Sequence, residues 1–301
     1  DNRRAYREML FSSTEAMNDY ISGVILFDET LRQKAADGTP FVEMIRKSGA
    51  VPGIKVDKGA KPLAGFPGET VTEGLDGLRE RLAEYYELGA RFAKWRAVID
   101  INEEDGLPSS TCIQANAHAL ARYAALRQEA GIVPIVEPEV LLDGPSAAHD
   151  IETCYEVTEW TLNTVFSELF QMDILLEGII LKPNMIVPGK NAPIQASPEE
   201  VAELTLRCLK APVPAAVPGI AFLSGGQSDE LATEHLHLMN AAGPLPWKLT
   251  FSYGRALQQA ALKAWGGKSG NVPAGQAAFL HRARMNGLAA KGEWAKSLET
   301  A

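Results

Sequence analysis

The residues best placed to do chemistry in this chain are Lys55, Lys94, Arg96, Glu137, Glu139 and Lys182, followed by Ser224-Gly225-Gly226 and Ser252-Tyr253-Gly254-Arg255. Each lies at or near the end of a short apolar run. Lys182 closes Ile179-Ile180-Leu181 and is followed by Pro183. A lysine at the tip of a buried run is costly unless it is paired or deprotonated. Desolvation lowers the pKa of an amine and leaves it a nucleophile near neutral pH, and neighbouring lysines add to that effect. A free amine attacks a ketone and forms a Schiff base, whose protonated imine draws electrons from an adjacent carbon–carbon bond. Glu137 and Glu139 supply carboxylates for general acid and base steps. The Ser224-Gly225-Gly226 turn exposes backbone N–H groups ahead of a helix, which suits a phosphate. Gly254-Arg255 adds a guanidinium fork for the same anion, and Lys55 could hold a second one.

Plainer readings stand beside these. A strand-end lysine can pack its stem and reach water with its head. Glu137 and Glu139 are expected to diverge, one facing inward and the other elsewhere, with a salt bridge to a lysine as the ordinary account. The glycines can be tight turns, and Lys94 and Arg96 a solvated face. The set gains weight only if the fold gathers these positions on one rim.

The elements that must do so alternate. Strands are predicted over 23–27, 51–56, 92–98, 132–136, 179–181, 220–223 and 249–252. Helices are predicted over 3–11, 40–48, 74–88, 110–129, 151–171, 198–209, 228–242 and 254–265. Ser197-Pro198-Glu199-Glu200 offers an N-cap, a proline at the first helical position and acids in the first turn, and Ser228-Asp229-Glu230 does much the same. This alternation predicts a parallel sheet with helices outside. The fold class is α/β, a (β/α)8 barrel read as one domain over residues 1–301. Seven strands are found where a closed barrel needs eight. The first strand is therefore expected to lie upstream of Asp1, in a sequence trimmed at its N-terminus. An open doubly wound sheet is disfavoured because no glycine-rich phosphate fingerprint follows a first strand. Gly266-Gly267-Lys268-Ser269 resembles the end of a P-loop, but Leu262 replaces the required glycine and the stretch follows a helix.

Composition narrows the partners. The net charge of −9 argues against general nucleic-acid or anionic-membrane binding, while a few focused cations still suit a small anionic substrate. Cys112, Cys154 and Cys208 are too few for a disulfide framework, which points to a reducing compartment. No apolar run approaches the roughly 20 residues of a membrane span. His118, His149, His235, His237 and His281 form no metal-binding motif, so no metal and no cofactor are expected.

The motifs also resemble a known family, over nearly the whole chain. They are Gly53-Ile-Lys-Val-Asp-Lys-Gly59, Phe92-Ala-Lys-Trp-Arg96, Gly131-Ile-Val-Pro-Ile-Val-Glu-Pro-Glu139, Leu181-Lys-Pro-Asn-Met185, Phe222-Leu-Ser-Gly-Gly-Gln-Ser228 and Leu249-Thr-Phe-Ser-Tyr-Gly-Arg-Ala-Leu-Gln258. Together they resemble the class I fructose-bisphosphate aldolases. The resemblance implies a cytoplasmic, metal-independent homotetramer that reversibly cleaves fructose 1,6-bisphosphate to dihydroxyacetone phosphate and glyceraldehyde 3-phosphate. It implies that Lys182 is the Schiff-base lysine, Glu137 the main proton-transfer carboxylate, Glu139 its neighbour and Lys94 the lysine beside the imine. It places Ser224, Gly225, Gly226, Ser252, Gly254 and Arg255 around the carbon 1 phosphate. Arg3 and Lys55 fall near the carbon 6 phosphate, and Arg96 is a further active-site arginine. Two family features have no match: an aspartate ending the first strand, and a C-terminal tyrosine. The sequence is therefore expected to form the Schiff base better than it completes catalysis. The competing expectations are a Schiff-base aldolase for another sugar phosphate, or a non-catalytic scaffold on the same fold.

Overall fold

The structure is a computed structural model, described here for residues 2–144 and 146–300. The strand expected upstream of Asp1, and Asp1 itself, lie outside the described residues. In chain order the elements are α1 (Asn2–Phe11), α2 (Thr14–Asp19), β1 (Gly23–Leu26), α3 (Asp28–Arg32), α4 (Phe41–Lys47), β2 (Val51–Lys55), β3 (Ala60–Pro62), β4 (Thr70–Thr72), α5 (Leu78–Glu87), β5 (Phe92–Ile99), α6 (Ser110–Glu129), β6 (Val133–Val140) and α7 (Ile151–Gln171). They continue with β7 (Ile180–Leu181), α8 (Pro198–Lys210), β8 (Gly219–Phe222), α9 (Asp229–Ala241), β9 (Lys248–Phe251), α10 (Arg255–Trp265) and α11 (Val272–Ala289).

Seven strands form one sheet in the order β1-β2-β5-β6-β7-β8-β9, every neighbouring pair parallel. This is the architecture of a (β/α)8 barrel, with β1 and β9 left as unpaired edges among the described residues. Between those edges runs part of the main cavity, lined by Val24 and Ile25 on one side and by Thr250 and Phe251 on the other. The small hairpin β3–β4 stands apart from the main sheet.

The long helices begin where local chemistry says they should. Ser109, Asp150, Ser197 and Ser228 each accept a backbone N–H from the first turn of α6, α7, α8 and α9. Such caps are worth about 1 kcal/mol each and fix where the loop ends. On the outer wall Trp95 is fully buried and packs against Tyr123 of α6. The Tyr123 hydroxyl donates to the carbonyls of Ala93 at 2.6 Å and Ile135 at 3.1 Å, tying the helix to β5 and β6 together.

The chief difference from the expected pattern is α11, a stretch to which the apolar periodicity assigns no element. Gly275 and Gly287 lie inside it. Glycine disfavours a helix interior by about 1 kcal/mol, yet here it permits contact: a Cβ on Gly275 would stand 2.5 Å from the Met9 sulfur, and one on Gly287 2.7 Å from the Tyr20 ring. β6 is also longer than expected, because it runs on through Glu137 and Glu139 to Val140.

Candidate active site

Strand register assembles the site. Val136 of β6 pairs with Leu181 of β7, so the next residues along, Glu137 and Lys182, stand side by side at the sheet's upper edge. The ladder continues one step beyond β7, with the Lys182 N–H donating to the Val136 carbonyl at 2.8 Å. Asn184 pins this edge. It is buried, accepts the Val140 N–H at 3.0 Å and donates to the Thr158 hydroxyl at 3.0 Å, linking β6, the segment after β7, and α7.

The Lys182 side chain is only 9% exposed, and its amine lies 3.1 Å from Glu137 Oε1. The other oxygen, Glu137 Oε2, accepts from Lys94 Nζ at 2.5 Å. One buried carboxylate is thus shared by two lysines. A single negative charge cannot neutralise two ammonium groups, and the pKa directions follow from that imbalance. Burial pushes the Lys182 amine below its ordinary value; Lys94 adds to the effect, and Glu137 opposes it. Burial pushes the Glu137 carboxyl up, but Lys182 and Lys94 together outweigh it and hold the group below its usual range.

Glu139 faces the same interior. Residues two apart on a strand share a face, so the expected divergence of Glu137 and Glu139 is incorrect: both line the cavity. Glu139 pairs with the guanidinium of Arg96. Lys55 and Lys94 are direct register partners on β2 and β5, a like-charge juxtaposition that costs energy unless each has a counter-ion. Glu137 serves Lys94, and Asp57 serves Lys55 at 2.5 Å.

Lys55, Lys94, Arg96, Glu137, Glu139 and Lys182 open onto one cavity of about 830 Å³. Of the residues predicted from sequence, Lys182, Glu137, Lys94, Glu139, Arg3, Lys55, Arg96, Ser224, Gly225, Ser252, Gly254 and Arg255 line it. Gly226 does not. It holds a positive φ of 76°, and a Cβ there would stand 2.5 Å from the Leu142 Cβ, so only glycine fits the turn. Ser224, Gly225, Ser252 and Gly254 line the cavity beside the first turn of α10, whose N-terminal N–H groups favour an anion. Lys55 and Arg3 share the lining with Arg7. Arg7 was missed in the sequence, although it lies one helical turn from Arg3 and so on the same face of α1. Glu29 holds both arginines, at 3.7 Å from Arg3 and 3.2 Å from Arg7. Among the described residues no group of three or more His, Cys, Asp or Glu side chains is gathered as a metal would need. Among the described residues no helix is long and apolar enough to cross a membrane.

Comparison with known proteins comes to the same place. The glycolytic family profile for class-I fructose-bisphosphate aldolase matches residues 1–301. The chain is 63% identical over 295 residues to a probable fructose-bisphosphate aldolase class 1 of Xanthomonas axonopodis pv. citri, covering 98% of this chain and 86% of that protein. It is 55% identical over 292 residues to the cytosolic fructose-bisphosphate aldolase 4 of Arabidopsis thaliana, covering 97% and 73% respectively. Among solved structures it resembles the Plasmodium falciparum fructose-bisphosphate aldolase, crystallised with TRAP and a small-molecule inhibitor, with a TM-score of 0.94 and 48% identity over 98% of this chain and 84% of that one.

Proposed function

Because this chain belongs to the class-I fructose-bisphosphate aldolase family, whose reaction is the reversible cleavage of fructose 1,6-bisphosphate to dihydroxyacetone phosphate and glyceraldehyde 3-phosphate, we propose that Lys182 is the residue that carries the reaction covalently. The observation behind this assignment is the sharing of Glu137 between two lysines inside a cavity also lined by Arg3, Arg7, Lys55, Arg96 and Arg255.

The steps follow from that arrangement. The neutral Lys182 amine attacks the carbon 2 ketone of the open-chain sugar and forms a carbinolamine. Glu137, within reach of the same nitrogen, takes up the proton that the Lys182 ammonium gives up in becoming the neutral amine and passes it to the departing hydroxyl, so that water leaves as the protonated imine forms and the carboxylate is restored. The carbon 4 hydroxyl then loses its proton, the bond between carbons 3 and 4 breaks, and its electron pair enters the iminium to give an enamine. Glyceraldehyde 3-phosphate is released. Protonation at carbon 3 and hydrolysis of the imine return dihydroxyacetone phosphate and the free amine. Lys94 holds Glu137 in place and supplies positive charge beside it throughout. Arg255, Ser224, Gly225, Ser252 and Gly254 would hold the carbon 1 phosphate, with Gly226 fixing the turn. Lys55, Arg3 and Arg7 would hold the carbon 6 phosphate, and Arg96 would steady Glu139.

We read residues 1–301 as one barrel domain. The unpaired edges of β1 and β9 are then the place of an eighth strand, which would bring the base for the carbon 4 hydroxyl. Membership of the family supports assembly into a homotetramer, and kinship with the cytosolic plant enzymes supports a cytoplasmic location. Borohydride reduction in the presence of dihydroxyacetone phosphate should leave a stable adduct on Lys182. Full cleavage activity in Lys182→Ala would refute the assignment.

A further inference from the structure

Arg255 lines the cavity, yet its guanidinium is already engaged. Arg255 Nη2 lies 2.5 Å from Asp143 Oδ2, across 112 residues of sequence. Asp143 belongs to the loop after β6, and that loop is fastened to the phosphate turn. Leu142, the preceding residue, presses on Gly226, and its carbonyl accepts the Lys190 N–H at 2.8 Å. Asp143 is therefore held in position and does not wander over the surface. Asp143 itself is not among the residues that line the cavity.

We propose that Asp143 is a built-in competitor for the anion site at Arg255, holding the guanidinium until the carbon 1 phosphate displaces it. The inference rests on the assignment of Arg255 as a phosphate ligand. The donors around Asp143 are those an anion would use. Partial burial pushes its carboxyl up, but Arg255, the Gly226 N–H and Arg96 hold it below the ordinary range, so it stays charged and competes at neutral pH. The contact is also weak enough to lose. The Arg255 side chain is 64% exposed, and exposed ion pairs are screened by solvent. A phosphate dianion offers a bidentate partner with greater charge. The pair thus keeps an otherwise mobile guanidinium ordered at the cavity's edge while lowering its affinity for the incoming group, which favours release of dihydroxyacetone phosphate.

The test is a mutant cycle in the full-length enzyme, reading KM for fructose 1,6-bisphosphate and the dissociation constants of inorganic phosphate and dihydroxyacetone phosphate. Asp143→Asn should tighten all three about two- to fivefold, the size of an exposed ion pair. The gain should be carried by KM and absent for glyceraldehyde 3-phosphate, whose phosphate sits at the other end. Asp143→Glu, which keeps the charge, should behave as the parent. In an Arg255→Ala background Asp143→Asn should change nothing. Unchanged or weaker phosphate binding in Asp143→Asn, with Arg255→Ala still weakening it, overturns the role of Asp143 alone. Unaltered phosphate binding in Arg255→Ala overturns the phosphate assignment, and this proposal with it.

Discussion

Lys182 Nζ lies 3.1 Å from Glu137 Oε1, and the other oxygen of that carboxylate is taken by Lys94. Three ionisable groups thus share two contacts in a buried site. The nucleophile and its proton carrier are in hydrogen-bond reach before any substrate arrives, and the third group sets the charge balance.

Replacing Glu137 by Gln should remove the proton carrier while leaving a hydrogen-bonding side chain of the same shape. The rate constant kcat should fall about 10²- to 10⁴-fold, the usual worth of general acid–base catalysis. Glu137 raises the Lys182 pKa, so its loss should lower that pKa further. Schiff-base formation, followed by borohydride trapping, should then reach half its maximum at lower pH than in the parent. A shift to higher pH would contradict the charge balance.

Lys94→Met tests the opposite sign. Lys94 pushes the Lys182 amine down, so its removal should raise the Lys182 pKa. The pH at which trapping becomes efficient should move up, together with a loss in kcat. An unmoved trapping profile would mean that burial alone activates Lys182.

Lys182→Met should abolish turnover and stabilise the fold. A lysine whose folded pKa lies below its unfolded value opposes folding in its charged form. Its cost is full at pH below the folded pKa and fades as pH rises through the unfolded value. Glu137 keeps Lys94 as partner, so no carboxylate is stranded. Removing the amine should gain about 1–2 kcal/mol, seen as a rise of a few °C in Tm near pH 6 and a smaller rise near pH 10. Calorimetry of both proteins at both pH values decides this, and an equal or lower Tm near pH 6 would sink it.

The two ends of the cavity should be separable by substrate. Lys55→Ala should raise KM for fructose 1,6-bisphosphate about tenfold or more, since charge-assisted hydrogen bonds are worth about 1.5–3 kcal/mol. It should leave fructose 1-phosphate nearly unaffected. Arg255→Ala should impair both sugars. Equal penalties on both sugars from Lys55→Ala would place Lys55 elsewhere in function.

Asn184→Leu should loosen the rim without touching substrate. It strands the Val140 N–H, which now donates to Asn184 Oδ1 at 3.0 Å, in a buried setting. The expected cost is about 1–3 kcal/mol, read as a lower urea midpoint. Because Asn184 lies two residues from Lys182, kcat should fall as well. A variant as stable and active as the parent would show that the strand ends hold register without it.

Much of this was legible in the sequence because the information is local. Alternation of apolar runs and capped helices is written within windows of a dozen residues, and the ends of α6 and α7 fall where the sequence reading puts them. The strand-end residues could be named because a strand followed by a turn exposes its last side chains at one rim, whichever neighbours it later finds. α11 was missed for the converse reason. Gly275 and Gly287 weaken it as an isolated helix, and only the packing of Met9 and Tyr20 explains them.

The sequence by itself determined the set of reactive types and the rim they occupy. Tertiary structure alone decided who pairs with whom. That Glu137 serves both Lys182 and Lys94, that Glu139 turns to the same side and takes Arg96, and that Asp143 reaches Arg255 across 112 residues all depend on strand register and loop packing. Those are set by burial summed over the whole barrel, and a shift of one residue would turn each side chain to the opposite face. The chemistry of a buried charge depends on its nearest neighbours at about 3 Å, a distance that no local pattern in the chain encodes.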